Sequence, residues 1–280
     1  MTNYRLNIVD NNNLINYTEC KKLIEKQDIS NIGKGGQADI FKVVSDKCGS
    51  IVLKLFRKNL SKSLNSCDFI NLMINEYNCM CKVKLLIDYR YCANFISILD
   101  FNPKEKYIIM EYADGDSTDI IKYDFSNEIL YSFMCQVLIG LLCFQKILNY
   151  LHNDLKLENI LYKKINKQII LRYVINNQEY YIPTYGYLFM IADYGLSLDK
   201  SNYDVNRDKN KNDFIDIERL KNSFDFILTK MNKQSNDIKK IQKILEDKIP
   251  ILNIIKKNFI DFTKNNNYDS NYVETFTFNF

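Results

Sequence analysis

One stretch of the 280-residue chain gathers unusual chemistry: Tyr150-Leu-His-Asn-Asp-Leu-Lys-Leu-Glu-Asn-Ile-Leu161. It contains the only histidine, His152, followed at fixed short spacing by Asp154, Lys156 and Asn159. A carboxylate can accept the proton of an attacking hydroxyl. An ammonium can offset charge on a phosphoryl group in transfer, and a carboxamide oxygen suits a hard cation such as Mg²⁺. A second metal-ligand candidate is Asp193, in Ile191-Ala-Asp-Tyr-Gly195. It follows an apolar strand and precedes a glycine turn, although a turn aspartate alone would explain it as well.

Two further elements lie upstream. Lys54 ends the apolar run Ile-Val-Leu-Lys, and Glu76 follows 22 residues later on a helical stretch. A strand-end lysine is ordinarily solvated; aimed at phosphate oxygens it would need a carboxylate to hold it, and Glu76 is the candidate. Gly33-Lys34-Gly35-Gly36-Gln37-Ala38 lets backbone N–H groups approach phosphate closely. A plain glycine hairpin would carry the same residues. The segment precedes a strand rather than a helix, which argues against a dinucleotide site built on a helix N-terminus.

The elements that must position these residues read as follows. Strands are expected at Ile40–Val44, Ser50–Phe56, Phe95–Asp100 and Lys106–Glu111. Residues 1–28 are polar with a helical stretch around Glu19–Lys26, and 57–66 form a polar connector. Cys67–Lys84 has helical spacing, with Phe69, Leu72, Met73 and Tyr77 on one side. After Ala113 a long helix is expected over Asn127–Leu151, with Ser126–Asn127 as its N-cap. Residues 160–193 read as β-structure, with strands at Ile169–Ile175, Tyr180–Ile182 and Tyr187–Ala192. A charged, Asn-rich loop covers 199–213, and helices follow at about 214–231, 235–247 and 250–263. The tail Lys264–Phe280, ending Phe-Thr-Phe-Asn-Phe, has no assignment.

Composition narrows the classes. The chain is 46% hydrophobic and 26% charged, which is globular rather than disordered. A net charge of +4 gives no strong nucleic-acid signal. Lysines such as Lys209, Lys211, Lys239 and Lys240 read as a solvated face. The eight cysteines, at 20, 48, 67, 79, 81, 92, 135 and 143, form no CxxC pair. Free thiols in a reducing compartment are expected rather than disulfides or a zinc site. Cys79 and Cys81 point to different helix faces and read as inert. The most apolar run, Val137–Phe144, falls short of the ~20 residues of a bilayer span and reads as a buried core helix, so no transmembrane segment is expected.

In order, GKGGQADI, IVLK, Glu76, HNDLKLEN and DYG resemble the eukaryotic-type protein kinase superfamily over about residues 30–220. The resemblance implies an α+β bilobal fold. Residues 1–112 would form a small β-rich N-lobe with one main helix, and 113–280 a larger, mainly helical C-lobe. It implies ATP and Mg²⁺ or Mn²⁺ as cofactors, and ATP-dependent phosphorylation of Ser/Thr hydroxyls on protein substrates. By matching positions, Asp154 would be the catalytic base with Lys156 beside it, and Asn159 and Asp193 would hold metal. Lys54, paired with Glu76, would hold phosphates beneath Gly33, Lys34, Gly35 and Gly36. Glu111, Tyr112 and Ala113 would be the hinge, Met110 the gatekeeper. Ile32, Ile40, Val52, Leu161 and Ala192 would line the adenine slot.

The chain also departs from the family pattern. Asn153 stands where an Arg usually pairs with an activation-loop phosphate, which implies activity without that phosphorylation. Tyr194 replaces the usual Phe, and Ala38 the last loop glycine. No APE motif follows Gly195. Asp216 is the candidate helix aspartate that buttresses the catalytic turn. Asn159 and Asp193 lie 34 positions apart, longer than the family norm, with an extended hairpin expected over about 163–188. That insertion, and a composition of 35 Asn against 4 Ala, are similar to kinases of poxviruses and other large DNA viruses. A cytoplasmic location, that of the host cell for a viral protein, is expected. Two alternatives stay open: a kinase-fold pseudokinase or scaffold without turnover, and a small-molecule phosphotransferase.

Overall fold

A computed structural model describes residues 29–34, 38–45, 49–57, 66–123, 126–202, 214–231, 236–246, 249–263 and 268–280. The expected helix around 19–26, Gly35 and Gly36, most of the 57–66 connector and the 203–213 loop lie outside them. The chain divides into two compact units. One holds the described residues up to Lys84 together with Ile96–Tyr112; the other holds Leu85–Phe95 and Ala113–Phe280.

The first unit is an antiparallel five-stranded sheet. Its strands are β1 (Ile29–Lys34), β2 (Ala38–Ser45), β3 (Gly49–Phe56), β4 (Ile98–Asn102) and β5 (Tyr107–Glu111), in the order β1-β2-β3-β5-β4. Alternation along β3 decides what each residue meets. Ile51 and Leu53 face a cluster with Val43, Tyr107 and Ile109, leaving Val52 and Lys54 on the other face. Helix α1 (Ser66–Asp88) buries Met73, Glu76, Met80 and Val83 at helical spacing. A carboxylate therefore sits within an apolar stripe, where it requires a partner.

The second unit contains β6 (Gly115–Asp116), α2 (Thr118–Lys122), α3 (Asn127–Lys146), β7 (Tyr150–Leu151), β8 (Ile160–Lys164), β9 (Ile170–Ile175), β10 (Gln178–Pro183), β11 (Tyr187–Ile191), β12 (Leu198–Asp199), α4 (Ile215–Met231), α5 (Asn236–Glu246), α6 (Ile251–Asn258) and β13 (Val273–Phe278). By length and composition α3 could cross a membrane, but 78% of its most apolar window is buried inside the protein, as a core helix requires. It is buried nearly all round, and its interior polar residues Gln136 and Gln145 are consumed by hydrogen bonds. A Cβ on Gly140 would stand 3.2 Å from the Ile191 side chain, so the glycine permits close packing of α3 on β11.

Two expectations are corrected, and the tail gains an assignment. The long helix ends at Lys146 rather than Leu151: Asn149 adopts a left-handed φ of 59°, and Tyr150–Leu151 becomes a strand paired with Leu198–Asp199. Ser126 occupies the N-cap position without capping through its side chain; its hydroxyl lies near Glu128, whose pKa it helps to lower. The unassigned tail supplies β13, which pairs in parallel with β9.

The 163–188 insertion contains the expected hairpin. β9 and β10 pair antiparallel from Ile175↔Gln178. The connecting Asn176 and Asn177, at φ 48° and 65°, are the residue type that tolerates such a turn. The resulting sheet β10-β9-β13 is tied to the rest of the unit through Tyr173, whose hydroxyl donates to Asn94. The Asn94 amide in turn donates to Gln136 Oε1 at 3.0 Å and to the Phe189 carbonyl at 2.8 Å.

Candidate active site

The segment singled out in the sequence leaves β7 at Leu151 and reaches β8 through the 3-10 turn Leu157–Asn159. Between them, His152 and Asn153 present backbone N–H groups to Asp216 rather than to a strand. Asp216, buried in the first turn of α4, fills that need. Its Oδ2 accepts from His152 N at 3.1 Å and from Gln145 Nε2 at 2.9 Å, and its Oδ1 accepts from Asn153 N at 2.7 Å. The helix aspartate singled out in the sequence is thus a buried anchor of this turn. Asn153 has a left-handed φ of 58°, which asparagine tolerates better than most residues.

Asp154 follows directly. Its Oδ2 accepts from Lys156 Nζ at 3.0 Å and from Asn159 Nδ2 at 3.0 Å. The same Asn159 amide donates to the Asp154 carbonyl at 2.8 Å. With its NH₂ committed to Asp154, the Asn159 carboxamide keeps its oxygen for another partner.

Asp193 joins this group through its neighbours. Ala192 N donates to the Asn159 carbonyl at 2.9 Å, and His152 Nε2 lies 3.0 Å from the Ala192 carbonyl. Asp193 comes next, exposed and with a left-handed φ of 63°. Tyr194 is fully buried, packed against Phe144 and His152, and its hydroxyl donates to the Ile191 carbonyl. The single histidine is therefore a strut between the two loops. Burial lowers its pKa, against the opposing pull of the Asp216, Asp193 and Asp154 carboxylates. With Nε2–H donating to Ala192, Nδ1 is left without a hydrogen-bond partner among the described residues.

In the first unit, Lys54 Nζ and Glu76 Oε1 are 2.6 Å apart, with side chains 13% and 4% exposed. This is the carboxylate that Lys54 needs to stay aimed. Val52, opposite Met110 in the β3–β5 register, is buried on the same face, and Ile40 pairs with Lys54 across β2–β3. Ile32 is exposed at a bulge in β1, and Gly33 pairs with Ile40. The backbone of Lys34 closes β1. Glu111 is half-buried and accepts from Ser97 N at 2.7 Å, so its side chain is occupied within its own unit. Leu161, Ala113 and Ala192 belong to the second unit, where Leu161 pairs with Met190 and Asp116.

Asn159 and Asp193 offer a carboxamide and a carboxylate oxygen. Mg²⁺ typically takes one or two protein oxygens and fills its remaining positions with water and phosphate, so this donor set fits it. Among the described residues no cluster of three or more His, Cys, Asp or Glu is placed to cage a metal.

Sequence reasoning missed Arg219. It lies three residues after Asp216 on α4, a spacing that puts it on nearly the same side of the helix. Its NH2 donates to Asn153 Oδ1 at 3.2 Å, and its NH1 stands 4.0 Å from Asp154 Oδ1.

The protein kinase domain model matches residues 26–210, about two thirds of the chain. A probable serine/threonine-protein kinase of Invertebrate iridescent virus 6 is 30% identical over 129 residues, covering 41% of this chain and 24% of the relative. A Frog virus 3 protein described as a candidate serine/threonine-protein kinase is 39% identical over 89 residues, covering 31% and 10%. A probable serine/threonine-protein kinase of Dictyostelium discoideum is 30% identical over 156 residues, covering 51% and 14%. The matched segments span a quarter or less of each relative's length.

Proposed function

Since the chain belongs to the protein kinase family, which uses ATP and a divalent metal, we propose that it transfers the γ-phosphate of ATP to Ser or Thr hydroxyls of protein substrates. The observation that carries this reading is the Asp154 carboxylate, held by Lys156 and Asn159 on a turn anchored from behind by buried Asp216. Oδ2 already accepts two hydrogen bonds, so Oδ1 is the oxygen open to a substrate proton. The hydroxyl oxygen bonds to the γ-phosphorus, the bond to the β,γ-bridging oxygen breaks, ADP leaves and Asp154 takes the proton.

Lys156, bonded to Asp154, would offset charge on the transferring group, and Asn159 and Asp193 would hold Mg²⁺. When bound, that ion neutralises phosphate charge. Lys54, kept aimed by Glu76, would hold the α- and β-phosphates. Ile32, Ile40, Val52, Met110, Ala113, Leu161 and Ala192 keep the nucleotide-contact roles that the family resemblance assigns them. Lys156 favours Ser/Thr over Tyr as acceptor, in line with the names of the viral and Dictyostelium relatives.

The test is incubation of purified protein with γ-labelled ATP and Mg²⁺, with generic protein acceptors in one arm and sugars and aminoglycosides in the other. Label on Ser or Thr of the protein acceptors is expected. Label on small molecules alone would move the protein to another substrate class. ATP binding with no transfer across both arms would make it a scaffold.

A further inference from the structure

The surroundings of Asp154 carry information about the substrate as well as the chemistry. Its two carboxylate oxygens are not equivalent. Oδ2 is engaged by Lys156 and Asn159, whereas Oδ1 faces the Arg219 guanidinium at 4.0 Å, beyond hydrogen-bond length. Arg219 makes one hydrogen bond among the described residues, from NH2 to Asn153 Oδ1 at 3.2 Å. Its side chain is 41% exposed. A guanidinium carries about five N–H donors, so most remain directed at solvent or at an incoming group.

An acceptor hydroxyl must come within about 2.6–3.2 Å of Asp154 to give up its proton. The open oxygen is the one beside Arg219. Consecutive Cα atoms are about 3.8 Å apart, so a side chain one or two positions from the acceptor is close enough for the guanidinium to reach. Lys156, 43% exposed on the other oxygen, adds a second positive charge. Glu158, on the same turn, accepts from Ser223 at 3.5 Å. A planar fork with free donors is the form suited to bidentate carboxylate or phosphate recognition.

We propose that Arg219 is a specificity-determining residue that selects acceptor sites flanked by an acidic side chain. The inference rests on the kinase reading above. It does not depend on the identity of the physiological substrate. Asp, Glu and a previously phosphorylated residue share the required chemistry, and the experiment separates them.

Peptides with one Ser and with flanks that are acidic, phosphorylated, neutral or basic would be compared by kcat/KM on the full chain. Their Ser→Ala versions would be compared by fluorescence anisotropy, which reads binding without turnover. Wild type is expected to favour acidic over neutral flanks by about fivefold or more, carried by KM and peptide Kd. A preference for phosphorylated over carboxylate flanks would identify the phosphorylated form as the occupant. In Arg219→Gln the acidic-to-neutral ratio should collapse towards one, and in Arg219→Glu it should invert in favour of basic flanks. Ratios within each variant are read, so a general loss of rate does not mask the result, and the anisotropy arm survives a silent variant. A wild type that phosphorylates peptides without acidic preference overturns the proposal and leaves the kinase reading intact. So does an Arg219→Gln variant that keeps the preference. Absence of transfer to every peptide, with no selective binding of the acidic Ala peptides, overturns both.

Discussion

Replacing Asp216 by Asn tests whether the turn that carries Asp154 depends on one buried carboxylate. In wild type, Oδ2 accepts from His152 N and Gln145 Nε2, and Oδ1 accepts from Asn153 N. A carboxamide has a single acceptor oxygen. In its better orientation that oxygen keeps the His152 and Gln145 bonds, and the new NH₂ confronts the Asn153 N–H, which had stood 2.7 Å from Oδ1. A hydrogen bond to a charged group is worth about 1.5–3 kcal/mol, and a buried donor left unmade costs about 1–3 kcal/mol; the two overlap, giving a net loss of about 2–4 kcal/mol. Native proteins hold about 5–15 kcal/mol, so the variant should fold. The loss should appear locally. Where amides exchange through local opening, those of His152 and Asn153 should exchange about 30- to 1,000-fold faster. Hydrogen exchange read by mass spectrometry on peptides covering 150–155 measures this, alongside the rate of phosphate transfer, which should fall with it. Exchange within about threefold of wild type would refute the reasoning, because a lost bond of this size cannot be that quiet.

Three further outcomes follow from the same geometry. Lys54→Met removes the cation from the buried Lys54–Glu76 ion pair, so unfolding of the first unit should become easier by about 3–5 kcal/mol in urea titrations, and Lys54→Met/Glu76→Leu should recover most of this without recovering transfer. If Lys54→Met alone is as stable as wild type, the pair is not what holds Glu76 in place. Asn153 carries no charge and already spans from the Leu196 carbonyl, at 3.2 Å from its Nδ2, to Arg219, so phosphatase treatment of active protein should leave its rate unchanged; a large loss would show a phosphate requirement. The imidazole of His152, alone in the chain, should titrate by NMR below its usual 6.5, with a bound divalent cation pushing the same way. The sign for stability is that the unfolded chain takes up the proton first as pH falls, so this group withdraws stability below about pH 6.5 and is neutral in both states well above it. A midpoint at or above 6.5 would show that the ring is not buried as described.

The parts legible in the sequence were those fixed by local pattern. Period-two runs placed β2, β3 and β5 within a few residues, since each is read against a sheet with one well-filled face. The hairpin expected over about 163–188 is there, and its turn falls on Asn176-Asn177, which take two successive positive φ values that few residues accept. What the sequence concealed was set by contacts between distant segments. Strand β13 alternates Glu274, Phe276 and Phe278 inward, but its partner β9 lies about a hundred residues earlier, and its Glu274 is held by Arg90 at 2.6 Å. Gln136 and Gln145 looked like the polar ends of an apolar run and instead sit in the core, their cost met by Asn94 and Asp216. The end of α3 was overextended because Ile147–Leu151 continues an apolar pattern, and only the left-handed Asn149 breaks it. Arg219 was invisible for a similar reason: a charge on an amphipathic helix reads as solvated until the turn it touches is in place.

The most direct measurement compares wild type with Asp154→Asn for transfer of label from γ-labelled ATP to a Ser-containing protein acceptor, with Mg²⁺ present and far-UV circular dichroism recorded on both. Removing a group that accepts the substrate proton should lower turnover by at least about a hundredfold. The unchanged fold and retained ATP binding would place the loss in the chemical step. An Asp154→Asn protein, free of contaminating kinase, that transfers phosphate at the wild-type rate would contradict the assignment of Asp154 as the base.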